Sequence, residues 1–397
     1  MNNSNDTSNP KTFQTHFEIY DKNNSIPQIS KGELLEFRLK RLIFYMGYIP
    51  KKCIFIKTDS YELSDTITDL DVYGLYFHKN FALKTIWADC KSGNDKPLER
   101  ISWLLGVKNS LNIDDIIYVK KGVRLSTSEY ARKRNIQVLD LNVLDELEKN
   151  FNIEFDDWRG SWNPYTQCNQ IKIIKSIKII NPDIAKKITS FITTNYWSLD
   201  YYTQVKKTIT ALKQIAKIDN STLPFAQNQA LKWAIYELTT MFVISTLNIC
   251  REVFYYSKTD KLETIKNGLV SGIIPFEKRK EIVEATYTVA YSIIQRKIPG
   301  FDDQISFPSI GFTPPEYYEA FCDLIMRITS NPNAYFDILR CIDFILMEYD
   351  LQNKEIDCDI VARLFSNYDD IQIGIKTILH FICNVTGLSI KLFNIIK

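Results

Sequence analysis

The residues most able to do chemistry lie in two short runs, Thr68-Asp69-Leu70-Asp71-Val72-Tyr73-Gly74 and Trp87-Ala88-Asp89-Cys90-Lys91. Both read as β-strand, where side chains alternate between faces, so Asp89 and Lys91 share one face and Cys90 points to the other. A hairpin turning at Asn80 would pair the stretch 71–77 with 83–91 and set Asp71 opposite Asp89. Directly opposed residues have Cβ atoms about 5 Å apart. Two carboxylates that close repel unless a cation lies between them, and oxygen donors select a hard cation, Mg²⁺ or Mn²⁺, over zinc. Lys91 would project beside that ion, where its ammonium could hold an attacking water and stabilise charge on a scissile phosphate. A metal there polarises the phosphoryl oxygen and lowers the pKa of a bound water. Together these parts describe phosphodiester hydrolysis. A D-x-K triplet alone is common at average composition and most often marks a solvated strand face. The weight therefore rests on the spaced Asp71 and on the elements around it.

Those elements can be read from periodicity. Residues 1–28 are Asn/Ser-rich and form a loose polar arm without the charged-then-apolar pattern of a signal peptide. From Lys31 to Met46 the apolar positions Leu34, Leu35, Leu39, Leu42, Ile43 and Met46 recur at helical spacing, and Gly47 ends the helix. Strand-like runs follow at Lys52–Lys57, Asp71–Phe77 and Leu83–Lys91, then a helix at Leu98–Ser110 and a strand at Asp115–Lys120. A helix at Thr127–Arg134, a strand at Ile136–Leu141 and a helix at Val143–Asn150 complete an α/β domain with a mixed sheet over residues 29–152. Around Asp156–Pro164 the pattern changes. Residues 153–397 read as an all-α domain, with helices at Pro182–Thr194, Tyr201–Lys217, Asn228–Tyr256, Phe276–Arg296, Pro315–Ile328, Ala334–Glu348 and Asp370–Ile395.

The first domain resembles the core of the Mrr-like restriction endonucleases, a branch of the PD-(D/E)xK nucleases. The resemblance rests on Gly32-Glu33-Leu34-Leu35-Glu36 running through to Met46-Gly47-Tyr48, then on Asp71, Asp89 and Lys91 in that order. The later helix containing Ala131-Arg132 and the strand Val138–Leu141 are also similar, so the match spans about residues 30–150. It implies a restriction-endonuclease-like fold. Asp71, Asp89 and the Cys90 backbone carbonyl would bind Mg²⁺ or Mn²⁺, Lys91 would position water and phosphate, and Glu36 would support the site, directly or through water. Thr68-Asp69-Leu70-Asp71 offers two acids for the first acidic position. Glu36 also stands four residues before Lys40, the spacing of an ordinary surface ion pair.

Composition sets the remaining bounds. A chain of 397 residues suggests two or three domains, and 45% apolar residues exclude a wholly disordered chain. Lys plus Arg number 49 against 47 acids, so any nucleic-acid surface must be local. Eight cysteines without CxxC spacing fit a reducing cytoplasm and give no thiolate zinc site. His16, His78 and His380 stand too far apart to form a ligand set, and His78 falls in the expected hairpin turn. The apolar stretches Trp233–Cys250 and Ile371–Ile396 carry polar interruptions and read as core helices, with no membrane partner. There is no Gly-rich phosphate loop, so an ATPase would be a separate chain. Basic spots at Lys120-Lys121 and Lys172/Lys175/Lys178 read as wet faces, and Trp158, Trp162 and Trp197 as packing rather than a base-stacking platform. The expected function is a metal-dependent endonuclease with DNA as the favoured substrate and RNA open, in restriction or anti-phage defence. It could act as a homo-oligomer or with a separate sensor protein. The rival is a non-catalytic nuclease-fold scaffold whose helical half binds a partner.

Overall fold

A computed structural model describes residues 29–57, 65–90, 96–176, 182–219, 223–272, 274, 276–298 and 313–396. Helix α1 (Lys31–Tyr45) starts at a reciprocal cap: Ser30 Oγ accepts from the Glu33 N–H, and Glu33 Oε2 accepts from the Ser30 N–H, both at 3.2 Å. It stops where Gly47 takes φ +98°, a left-handed backbone that glycine adopts without a Cβ penalty. The chain then builds β1 (Ile49–Lys57), β2 (Thr66–Phe77) and β3 (Leu83–Cys90) as an antiparallel meander. Helix α2 (Pro97–Leu111), β4 (Asp115–Val119), α3 (Leu125–Arg132) and β5 (Ile136–Leu139) add two parallel strands, and α4 (Leu141–Asn150) closes the unit. The sheet is five-stranded and mixed, in the order β1-β2-β3-β4-β5. Pro50 is tolerated because β1 is an edge strand, where a missing N–H costs no ladder bond.

Alternation along the strands divides the sheet's two faces. Leu39, Leu42 and Ile43 of α1 pack with Val72, Ile86, Ala88 and Leu144 on one side. Trp87, Ile116 and Tyr118 meet Ile101, Leu104 and Ala131 of α2 and α3 on the other. The α1 contact is close enough to require a glycine: a Cβ at Gly74 would lie 2.7 Å from Ile86 Cγ2 and 2.8 Å from Ile43 Cγ2.

The C-terminal part is helical. It comprises α5 (Pro164–Ser176), α6 (Pro182–Thr193), α7 (Tyr201–Ala216), α8 (Phe225–Val253), α9 (Lys258–Ser271), α10 (Phe276–Lys297), α11 (Tyr318–Ser330), α12 (Ile338–Phe344), α13 (Cys358–Leu364) and α14 (Tyr368–Thr386). Helix α8 is the axis of this core. It is long and apolar enough to cross a membrane, and its most apolar stretch lies wholly inside the fold. Three details differ from the sequence expectations. The run 370–395 breaks at Gly387, whose φ of +79° terminates α14. The run 334–348 begins as helix only at Ile338 and widens into a π-helical turn at Ile345–Asp350. Helices α5, α9 and α13 were not anticipated, because their apolar stripes are short.

Buried cations fasten the sheet to these helices. Lys51 of β1 reaches Glu237 of α8 at 2.8 Å and Asp343 of α12 at 3.2 Å, with all three side chains almost fully enclosed. Arg41 is wholly buried; its Nη1 donates to the carbonyls of Glu154, Phe155 and Asp157, its Nη2 to Glu148, and its guanidinium lies over Trp158. Lys40 also points inward and donates to the Ser161 carbonyl at 2.5 Å. Trp162 stacks on Phe344 at 5.5 Å, so the tryptophans of this connection pack rather than offer a platform.

Two outcomes test this account. Lys51→Met strands two buried carboxylates without a counter-charge and should cost about 3–5 kcal/mol in urea unfolding; a loss below about 1 kcal/mol would show the pair to be dispensable. Burial pushes the Lys40 ammonium down to about 8, with Glu237 and Asp343 opposing and Lys51 and Lys52 adding to the shift. Above pH 8 the folded chain gives up a proton that the unfolded chain holds until about 10.5, so stability should rise across that window. Lys40→Met should flatten the rise, read from unfolding free energy against pH.

Candidate functional site

The β2–β3 hairpin turns through His78–Ala82, and its ladder runs from Phe77 opposite Leu83 to Val72 opposite Ala88. The next step of that register would set Asp71 opposite Asp89, and the ladder stops short of it. There the regular pairing ends, and the Asp71 carboxylate enters the opening: Oδ2 accepts from the Cys90 N–H at 2.7 Å. Cys90 remains bound on its other side in the parallel ladder with β4, opposite Val119. Asp71 therefore sits where two strands part, held to the strand that carries Asp89 and Cys90. Asp69, two residues earlier, is exposed and faces Phe55 of the edge strand. Of the two acids, Asp71 is the one at the junction.

Asp89 points towards α2, on the face that carries Trp87. It is 1% exposed, and Arg100 in the first turn of α2 grips it with two donors. Nε donates to Oδ2 at 3.0 Å and Nη2 donates to Oδ1. This fork-to-carboxylate arrangement satisfies both oxygens in one plane. The same guanidinium lies 3.8 Å from the ring centre of Trp103, which in turn meets Trp87 edge-on at 5.8 Å.

Glu36 pairs with Lys52 of β1 at 2.5 Å rather than with Lys40, whose side chain is turned into the interior. Lys52 also approaches the Cys53 thiol at 3.1 Å and the Phe37 ring at 4.9 Å. Burial disfavours the charged form of Lys52, but Cys53 and Glu36 outweigh it and raise its pKa. Burial pushes the Cys53 thiol up, against the pull of Lys52. Cys53 itself has φ +56°, uncommon for a side chain-bearing residue and a mark of a local twist in β1.

The structure thus joins Asp71 to Cys90, Asp89 to Arg100, and Glu36 to Lys52. Lys91 lies outside the described residues. Among the described residues no group of three or more His, Cys, Asp or Glu side chains is arranged to hold a metal. The donors fit a hard divalent cation in kind, since Asp71, Asp89 and the Cys90 carbonyl all offer oxygen. Arg100 at present supplies positive charge to Asp89. A cleft of about 340 Å³ lies elsewhere, lined by Tyr48, Tyr76, His78 and Lys84 on the sheet side and by Phe336 and Arg340 on the helical side. None of the candidate residues lines it.

No known protein family, curated protein or solved structure matches this chain. The case for a site rests on its own geometry. Sequence reasoning missed Arg100 and Lys52. Arg100 follows Asp89 by eleven positions across a loop, and no periodicity links the two; the available signal was a basic residue in the first turn of a helix, where the dipole favours acids.

Removing the Asp71 carboxylate should loosen the ladder end. In Asp71→Ala, hydrogen exchange at the Cys90 amide should quicken about 10-fold, the worth of one such bond. An unchanged rate would mean that another acceptor takes the N–H.

Proposed function

We propose that this chain is a Mg²⁺- or Mn²⁺-dependent endonuclease with a restriction-endonuclease-like first domain, acting on DNA. The observation that supports this reading is the Asp71 carboxylate bonded to the N–H of Cys90, the residue after Asp89, where the β2–β3 ladder ends. Two carboxylates and a backbone carbonyl on neighbouring strands offer oxygen donors of the kind a small hard cation takes. When bound, such an ion polarises a phosphoryl oxygen and activates water.

The chain's own parts have separable tasks. Asp71 and Asp89 would hold the ion, with the Cys90 carbonyl as a third oxygen donor. The hydrogen bond from the Cys90 N–H fixes the Asp71 rotamer and keeps that carboxylate from swinging into solvent. Lys91, two residues beyond Asp89, would meet the phosphate and orient the attacking water. Glu36 would support the site from α1, where it is paired with Lys52 of β1. The helical part would recognise the substrate or receive a signal, and restriction or anti-phage defence is a role that suits this combination.

One observation favours a second reading. Asp89 is buried and already neutralised by Arg100, as a carboxylate would be if it served only to anchor α2. On that reading the fold is a scaffold and its helical part does the binding.

Incubation of the pure protein with supercoiled plasmid, and separately with RNA, in Mg²⁺, Mn²⁺ or EDTA separates the two. The endonuclease predicts metal-dependent cutting that falls at least about 100-fold in Lys91→Ala, the usual scale for losing one group that stabilises transition-state charge. No cutting of either substrate with either metal supports the scaffold, and cutting that Lys91→Ala leaves intact rejects the proposed site.

A further inference from the structure

Asp89 is held by a guanidinium that has a second place to go. Arg100 forks onto both oxygens of a carboxylate that is 2% exposed at its side chain, while its own side chain is 21% exposed and lies flat over Trp103. Stacking on an indole and pairing with a carboxylate are both favourable for a guanidinium, and the first persists if the second is exchanged. Guanidinium also forks onto phosphate with the geometry it uses for carboxylate.

The Asp89 carboxylate is already neutralised by Arg100 without any ion. Glu36 and Lys52 cancel each other in contact. A divalent cation arriving alone would add two positive charges next to Arg100 in a partly enclosed site, where like charges a few ångströms apart repel strongly. A phosphodiester arriving with it supplies negative charge and offers Arg100 a replacement for Asp89.

Resting on the endonuclease reading, we propose that Arg100 makes the metal site conditional on nucleic acid. In the free protein it occupies Asp89. When a phosphodiester enters, the guanidinium transfers to the phosphate, keeps its place over Trp103, and leaves Asp89 to the cation. Arg100 is then a positioning residue that couples substrate binding to metal binding, and it protects against metal capture and idle chemistry in the absence of substrate.

The test measures Mn²⁺ binding by electron paramagnetic resonance on the full chain, with and without a phosphorothioate duplex, and needs no turnover. The wild type should bind Mn²⁺ weakly alone and on the order of 10-fold or more tightly with duplex; Arg100→Gln should bind it on the order of 10-fold more tightly without duplex and gain little on adding it. Arg100→Lys, which keeps the charge but loses the fork, should lie between them, and its melting temperature guards against a variant that merely fails to fold. Equal Mn²⁺ affinity in wild type and both folded variants overturns the coupling while leaving the endonuclease reading standing, provided Lys91-dependent cutting is seen. Absence of Mn²⁺ binding in every protein, with or without duplex, overturns both.

Discussion

A strand's side chains alternate, so a one-residue slip of the β2–β3 ladder would send Trp87 and Asp89 to the face of α1 and carry Asp71 away from the Cys90 N–H. The register is pinned from three sides. The short turn at His78–Ala82 sets the pairing, Trp87 is committed to the α2 face, and Gly74 admits Ile43 and Ile86 on the α1 face with no room for a Cβ. Every statement about the acids follows from this constraint. It places them at the one point where the antiparallel meander gives way to parallel strands, and where β2 and β3 separate.

Attachment of the helical part depends on a different kind of interaction. Lys51, Arg41 and Lys40 all leave the sheet-and-α1 unit as cations and end in surroundings made by the helices or by the connection at 154–163. Arg340 of α12 returns the contact by donating to the Phe44 carbonyl near the end of α1. Apolar contact alone tolerates sliding, whereas buried charges demand partners at fixed positions. The two parts are therefore held in a specific orientation, and Phe44, Leu75 and Phe77 of the first unit join the large core built around α8.

In and around the candidate site, opposite charges meet in pairs. Asp89 with Arg100 joins β3 to α2, and Glu36 with Lys52 joins α1 to β1, both largely enclosed.

The sequence by itself determined the local elements and the hairpin. Helical spacing in Lys31–Met46, the strand pairing about Asn80 and the change of pattern near Asp156 were all legible, because period and turn chemistry are properties of neighbouring residues. That pairing set Asp71 opposite Asp89; the ladder stops one step short of it, and the Asp71 carboxylate accepts from the Cys90 N–H. Only the tertiary structure decided who neutralises whom. Glu36 could have met Lys40 one turn along its helix, yet Lys40 is drawn inward to Ser161 and the partner is Lys52 on a strand. Asp89 could have faced open solvent, yet α2 folds back over the sheet and brings Arg100 onto it. Periodicity tells which face a side chain takes; the charge that waits on that face comes from an element elsewhere in the chain, and its arrival is settled by packing.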